Sequence, residues 1–165
     1  IMAIDKIQSE SINLADNFAF TGTVTGAGGA NTPAFNVKNS STQTITRAVQ
    51  TKMTLGTEVF DTDNAFSSSK FTVPSGEDGK YMIIGRIQGI NTENERVSCY
   101  IYKNGSEFER TEDAGKAGDS YADVDVFSID IMDLSVGDYI ELYAQVNGSG
   151  TANVFGILEG YKIIE

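Results

Sequence analysis

Tyr81-Met82-Ile83-Ile84-Gly85-Arg86-Ile87 and Val97-Ser98-Cys99-Tyr100-Ile101-Tyr102, the second closing on Lys103-Asn104-Gly105, are the stretches that decide the fold. Both are too short for a core helix, and both carry the β-branched and aromatic side chains that suit a packed, pleated strand. The first reads as a buried strand. Asn-Gly accepts positive φ at two successive residues, so Asn104-Gly105 predicts a tight turn between two antiparallel strands. Strands of this kind need further strands beside them to be stable.

The neighbouring sequence supplies them. Phe35 and Val37 open β-type sequence after Pro33, Ile45 to Leu55 continues it with Thr-rich residues, and Phe71-Thr72-Val73 precedes a turn. Farther on, Val124 and Val126 alternate with Asp123 and Asp125. The apolar phase then moves to Phe127, Ile129 and Ile131, which predicts a bulge near Val126. Ile140, Leu142, Ala144 and Val146 alternate with Glu141 and Gln145 after a turn at Gly137-Asp138, and a last strand covers about Val154 to Ile164. No segment keeps a helical period over a useful length. About eight to ten strands in a chain with 17 Gly and only 2 Pro predict an all-β sandwich or jelly roll.

With 165 residues the chain suits one domain with a full core. Its first part reads differently from the rest. Ile4, Ile7, Ile12, Leu14, Phe18 and Phe20 are spread among polar residues, and Gly26-Ala27-Gly28-Gly29-Ala30-Asn31-Thr32-Pro33 has the composition of a flexible joint. Isolated apolar anchors cannot bury one another, so this stretch is expected to order only against neighbouring copies or a partner. The expected division is residues 1–32 as an extended attachment segment with its joint, and 33–165 as the β domain. Met2 reads as the natural start, with Ile1 an addition ahead of it.

The formal charge is −11, from 23 acidic and 12 basic residues. Such a surface repels phosphate backbones and anionic lipid, which argues against nucleic-acid binding and membrane insertion. The chain has no His, which removes the usual proton shuttle, Ser-His and Cys-His nucleophile pairs, and most zinc sites. Cys99 is the single cysteine, so no disulfide framework exists within the chain, and its apolar run predicts a buried structural thiol. No run approaches the ~20 apolar residues of a membrane span, and the N-terminus lacks a basic region followed by an apolar one. Synthesis and assembly in a cytoplasm are the expectation.

Four blocks between about residues 33 and 164 resemble the C1q/TNF-like jelly-roll family, in that family's order. Phe66, Phe71-Thr72-Val73-Pro74 and Gly79-Lys80-Tyr81-Met82-Ile83 resemble its F-T-x-P-x-x-G-x-Y-x-F signature, with two extra turn residues and Ile83 in place of the second aromatic. Val97-Ser98 through Tyr102-Lys103-Asn104-Gly105 is similar to its strand ending in K-N-G. Leu134-Ser135-Val136-Gly137-Asp138-Tyr139-Ile140 matches the L-x-x-G-D-x-V turn and strand. Leu158-Glu159-Gly160-Tyr161-Lys162-Ile163 resembles the closing F-x-G-F-x-I strand, with Leu158 where an aromatic is usual. The signature records a fold and not a chemistry.

The resemblance implies a homotrimer, with both chain ends at its base. Tyr81, Tyr100, Tyr102, Tyr139, Tyr143 and Phe155 exceed what one thin sandwich needs, and they are the candidates for the trimer interface. The family also implies a calcium ion on the threefold axis, and Asp113, Asp119, Asp123 and Asp125 are the acids around the corresponding Gly-rich connection. No other cofactor is indicated. Asp61-Thr62-Asp63-Asn64 begins like a calcium loop, but the turn Gly and closing Glu of an EF-hand are missing, so it reads as a solvated turn. No acid is marked as buried or raised in pKa, and no catalytic residue can be named.

The N-terminal stretches Ile7 to Asn17 and Phe20 to Gly26 are similar to segments of phage fibre and virion proteins. Two functional readings follow. In the first, the chain is a bacteriophage virion structural protein: a capsid decoration, head fibre or fibre tip. Residues 1–30 dock it on a capsid or tail protein, and a trimeric domain on the virion surface meets host-surface glycan or protein. In the second it is a soluble C1q/TNF-like module that binds another protein. A carbohydrate-cleaving enzyme is the third class, and no residue pattern speaks for it.

Overall fold

The computed structural model describes residues 31–92, 95–114 and 123–164. Residues 1–30 of the expected 1–32 attachment segment and joint therefore lie outside the described residues. Described are β1 (Ala34–Lys38), β2 (Gln43–Thr46), β3 (Thr51–Lys52), β4 (Thr57–Asp61), β5 (Phe66–Ser67) and β6 (Lys70–Thr72). The longer strands follow: β7 (Gly79–Ile90), β8 (Arg96–Lys103), β9 (Ser106–Ala114), β10 (Val124–Leu134), β11 (Tyr139–Val146) and β12 (Thr151–Ile164). Ile45 to Leu55 is not one strand. It breaks into β2 and β3 around a turn in which Ala48 holds φ 59°, and Met53 and Leu55 reach the core from irregular chain.

Two antiparallel sheets result. The front sheet runs β10-β7-β12-β1-β4, with β2 also on β12, and the back sheet runs β5-β6-β11-β8-β9, with β3 on β11. After β7 the chain crosses to the back sheet for the β8–β9 hairpin, returns for β10, crosses for β11 and returns for β12. This weave brings β7 and β12 side by side, although 60 or so residues separate them. The hairpin turn is the one Asn104-Gly105 predicts, with φ 53° and 77° and Lys103 opposite Ser106.

The core lies between the sheets. Phe71 of the back sheet stacks on Phe35 of the front sheet at 4.4 Å and 15°, and Phe66 and Tyr81 pack around the pair at 5.9 Å from Phe35 and 5.7 Å from Phe71. Aromatic stacking of this kind adds about 1 kcal/mol beyond the area it buries. Elsewhere large side chains alternate with glycines across the front sheet's inner face. Gly160 lies opposite Ile83 in the ladder, and a Cβ there would sit 2.8 Å from the Ile83 Cδ1, 2.8 Å from the Met82 carbonyl oxygen and 3.1 Å from a Phe35 ring carbon. Cys99 packs in this layer against the glycine at position 85, fully buried, and burial pushes its thiol up to about 12.

A polar clasp closes one end. Asp138 accepts from Asn104 Nδ2 at 2.7 Å, from the Ser135 backbone N–H at 2.9 Å and from Lys103 Nζ at 2.9 Å. Asn104 Oδ1 in turn accepts the Tyr139 backbone N–H at 2.9 Å. The Lys-Asn-Gly and Gly-Asp motifs, distant in sequence, are thus two halves of one hydrogen-bonded corner.

Candidate assembly face

β10 decides where the chemistry of this surface lies. The expected bulge near Val126 is not there: β10 pairs with β7 in unbroken register from Val124 opposite Gly89 to Leu134 opposite Gly79. With strict alternation kept, Val124, Val126, Ser128, Met132 and Leu134 turn inward and are buried, while Phe127, Ile129 and Ile131 turn outward at 49, 57 and 54 % exposure. The middle of the strand is therefore inverted for a lone domain, with a serine in the core layer and its largest apolar side chains in solvent. The signal was present in the sequence, because Met132 and Leu134 resume the phase of Val124 and Val126. A bulge would have left them out of step.

The neighbouring strands extend the stripe. Ile129 lies opposite Ile84, and Ile131 opposite Met82. Next comes β12, where Tyr161 lies opposite Met82 and Ile157 opposite Arg86. Tyr161 is 39 % exposed, and Ile84, Met82 and Ile157 are partly so. Beyond β12 the face turns polar, with Asn36 Nδ2 donating to Glu159 at 2.6 Å, before Phe60 at the outer edge on β4. Charge frames the stripe in pairs: Arg86 bonds Asp125 at 2.8 and 3.0 Å and lies 5.6 Å from the Phe127 ring, and Lys80 meets Asp133 at 3.0 Å. The β7 run expected to be buried is so on one side only. Tyr81, Ile83 and Ile87 enter the core, and Met82 and Ile84 belong to this outer face.

The three β10 side chains alone expose on the order of 300 Å² of apolar surface, already the size of the largest patch on an ordinary soluble domain, which is often functional, and the neighbouring strands add to it. An edge strand of this length and polarity also invites uncontrolled pairing unless something covers it.

The six aromatics expected at an interface do not form one surface. Tyr81 has no exposed area, its hydroxyl donates to the Glu77 carbonyl at 2.5 Å, and burial raises its pKa. Tyr100 lies on the outer side of the back sheet yet is 1 % exposed, donating to Gln145 Oε1 at 2.5 Å. Neither ring has surface left to offer another copy. Tyr102 and Tyr143 stack on each other at 4.0 Å on the back sheet, Tyr102 donating to Gln50, and Tyr139 lies under Lys70 Nζ at 4.6 Å. Only Phe155 is on the front face, opposite Gln88.

Nor are the acids among the described residues gathered in a single copy. Asp113 accepts the N–H of Ala114, Asp123 that of Asn91 at 3.1 Å, and Asp125 is held by Arg86. Asp119 lies outside the described residues. Among the described residues no three acids, histidines or cysteines stand close enough to hold a metal. Asp61 is spent on its own turn, accepting the Phe66 N–H at 2.7 Å.

No family model and no curated protein matches the sequence. Solved structures do. The chain is similar to the globular domain of the zebrafish complement 1qA protein, with TM-score 0.62 and 14 % identity over 81 % of this chain and 98 % of that one. It is also similar to the Eiger TNF from S. frugiperda, with TM-score 0.58 and 8 % identity over 81 % of this chain and 94 % of that one. The fold is a C1q/TNF-like jelly-roll sandwich.

Proposed function

We propose that the chain is a non-catalytic recognition module that works as a trimer, its copies joined through the front sheet. The inverted polarity of β10 carries this reading: Phe127, Ile129 and Ile131 are turned outward on a sheet face whose neighbours extend the apolar surface. A ring of three covers such a face in every copy and leaves no edge for further growth. Avidity then lets individually weak contacts, on either side of the module, act together.

The fuller proposal is display on a bacteriophage particle, as a capsid decoration, head fibre or fibre tip. Residues 1–30 are the docking segment, and host-surface glycan or protein is the outward partner. It draws its support from the scattered apolar anchors of residues 1–30. A free protein-binding module is the competing reading. Calcium on the trimer axis, through Asp113, Asp119, Asp123 and Asp125 of three copies, belongs to the same proposal and is testable by calorimetric titration of the assembled protein.

Light-scattering mass measurement on the full chain tests the assembly. The parent should give three times the monomer mass, and Ile129→Asp should give monomer with an unchanged β-sheet circular dichroism spectrum. A parent that is monomeric at micromolar concentration would overturn the proposal. Deleting residues 1–30 separates the two settings: the truncated chain should still form trimers but fail to enter particles.

A further inference from the structure

A cleft of about 170 Å³ opens on the outer side of the back sheet, away from the assembly face. Arg96 and Ser98 of β8, Glu112 of β9, Gln145 of β11, and Asn147 just past β11 line it, and Ala48 closes one side. It holds on the order of five or six waters, enough for one small polar ligand and not for a peptide.

Its hydrogen-bonding groups are unevenly committed. Glu112 already accepts from Arg96 Nη1 at 3.0 Å and from Ser98 Oγ at 3.1 Å, with Arg110 Nε 3.7 Å away. Gln145 spends its oxygen on the Tyr100 hydroxyl at 2.5 Å, and Asn147 spends its own on the Arg96 backbone N–H at 2.5 Å. The amide NH₂ groups of Gln145 and Asn147, and the other two guanidinium nitrogens of Arg96, have no acceptor among the described residues. The cleft therefore offers donors and asks for oxygen. Arg96 balances Glu112 within the lining and Arg110 approaches Glu112 from outside it, so the cleft's acid is neutralised, in a chain whose total is −11.

The wall at Ala48 is held against its own preference. A non-glycine residue at φ 59° costs about 1–2 kcal/mol, and such strain persists only where neighbours fix the chain. Here Arg47 fixes it, donating to the Thr151 carbonyl at 2.8 Å and the Asn147 carbonyl at 3.2 Å while pairing with Glu95. The Ala48 N–H also donates to the Val146 carbonyl at 2.8 Å.

We propose that this cleft binds a small carboxylate carried on a hydroxylated ring, the chemistry of a uronic acid. The carboxylate takes the donors of Arg96, Gln145 and Asn147, and an adjacent hydroxyl donates to Glu112, whose ionisation those same arginines and Ser98 favour. The inference rests on the reading of the domain as a recognition module, but it uses a surface that assembly does not need.

The test is a titration of the ¹⁵N-labelled full chain with glucuronate, acetate and glucose, each to about 50 mM, followed by amide and side-chain resonances. Glucuronate should shift the signals of Arg96, Gln145 and Asn147 in a saturable way. Glucose should bind at least about tenfold more weakly, the loss of one charge-assisted pair. Acetate matching glucuronate would reduce the ligand to the carboxylate alone and overturn the ring requirement. Asn147→Asp should abolish the shifts, and Gln145→Ala should weaken them, with the rest of the spectrum intact. Glucose equal to glucuronate, or no saturable shift at these residues, overturns the proposal. Mass measured on the same samples keeps the two inferences separate, since trimers without glucuronate binding fail only this one and monomers that bind fail only the assembly.

Discussion

Replacing Asp138 with Asn removes one charge and one acceptor oxygen from the corner that joins the β8–β9 hairpin to the turn before β11. The carboxylate takes three donors, from Asn104, Ser135 and Lys103. The hydrogen bond from Asn104 is the largest reason its pKa is held down to about 2 from an ordinary 3.8, with those from Ser135 and Lys103 and the Lys103 charge adding to it. Unscreened, that gap corresponds to roughly 2.5 kcal/mol of stability. The side chain is 18 % exposed and sits on a turn, so solvent screening brings the electrostatic part to about 1–2 kcal/mol. In Asp138→Asn the amide NH₂ also faces donors where an acceptor is needed, and the total at pH 7 should be about 2 kcal/mol. For a chain of this length that lowers Tm by about 4–8 °C.

The pH dependence has a definite sign. A depressed carboxylate pKa stabilises the folded state fully above 3.8, and the contribution disappears as pH falls through about 2. Urea unfolding at fixed protein concentration, at pH 7 and near pH 2, should show parent and Asp138→Asn well apart at the first and nearly together at the second. The concentration must be fixed because the proposed assembly makes stability depend on it. A difference that stays the same at both pH values, or one under about 0.5 kcal/mol at pH 7, refutes the assignment of the corner's strength to this carboxylate.

Three further outcomes follow from packing and backbone geometry. Gly160→Ala should destabilise by about 2 kcal/mol or more in chemical denaturation, because its Cβ meets the Met82 carbonyl oxygen, which cannot move aside without disturbing the β7–β12 ladder. Ala48→Gly should raise Tm by a degree or two, since the relief of about 1–2 kcal/mol of left-handed strain exceeds the entropy of the added glycine, whereas Ala48→Val should lower it. Cys99, with its thiol pushed up to about 12, should not react with a disulfide reagent at pH 8 or 9 in the folded protein and should react fully once urea passes the unfolding midpoint.

Local sequence determined a good deal of this molecule. Positive φ at Asn104-Gly105, the alternation of Ile140 to Val146 and the apolar run at Val97 to Ile101 each report a short-range preference, and each appears in the fold as read. The order of the motif blocks also carried information about contact. Phe66, Phe71 and Tyr81 meet Phe35 in one aromatic cluster, and Lys103-Asn104 meets Asp138 in one corner, so residues that look like separate signatures touch in the fold.

The exposed apolar face of β10 was not legible in the same way. Sequence alone names Phe127, Ile129 and Ile131 as apolar, but which side of a strand faces the core is set by the register of its partner, and β10 takes that register from β7. The aromatics misled for a related reason: residue type says that Tyr81 and Tyr100 need burial, whereas only the packed sheets say that each finds it within its own copy. The cleft depends on chain pieces as distant as Ala48, Arg96 and Gln145, which no local pattern could join. Local preference and alternation thus wrote the strands and turns, while the pairing of distant strands decided which side chains are core and which are left to meet something else.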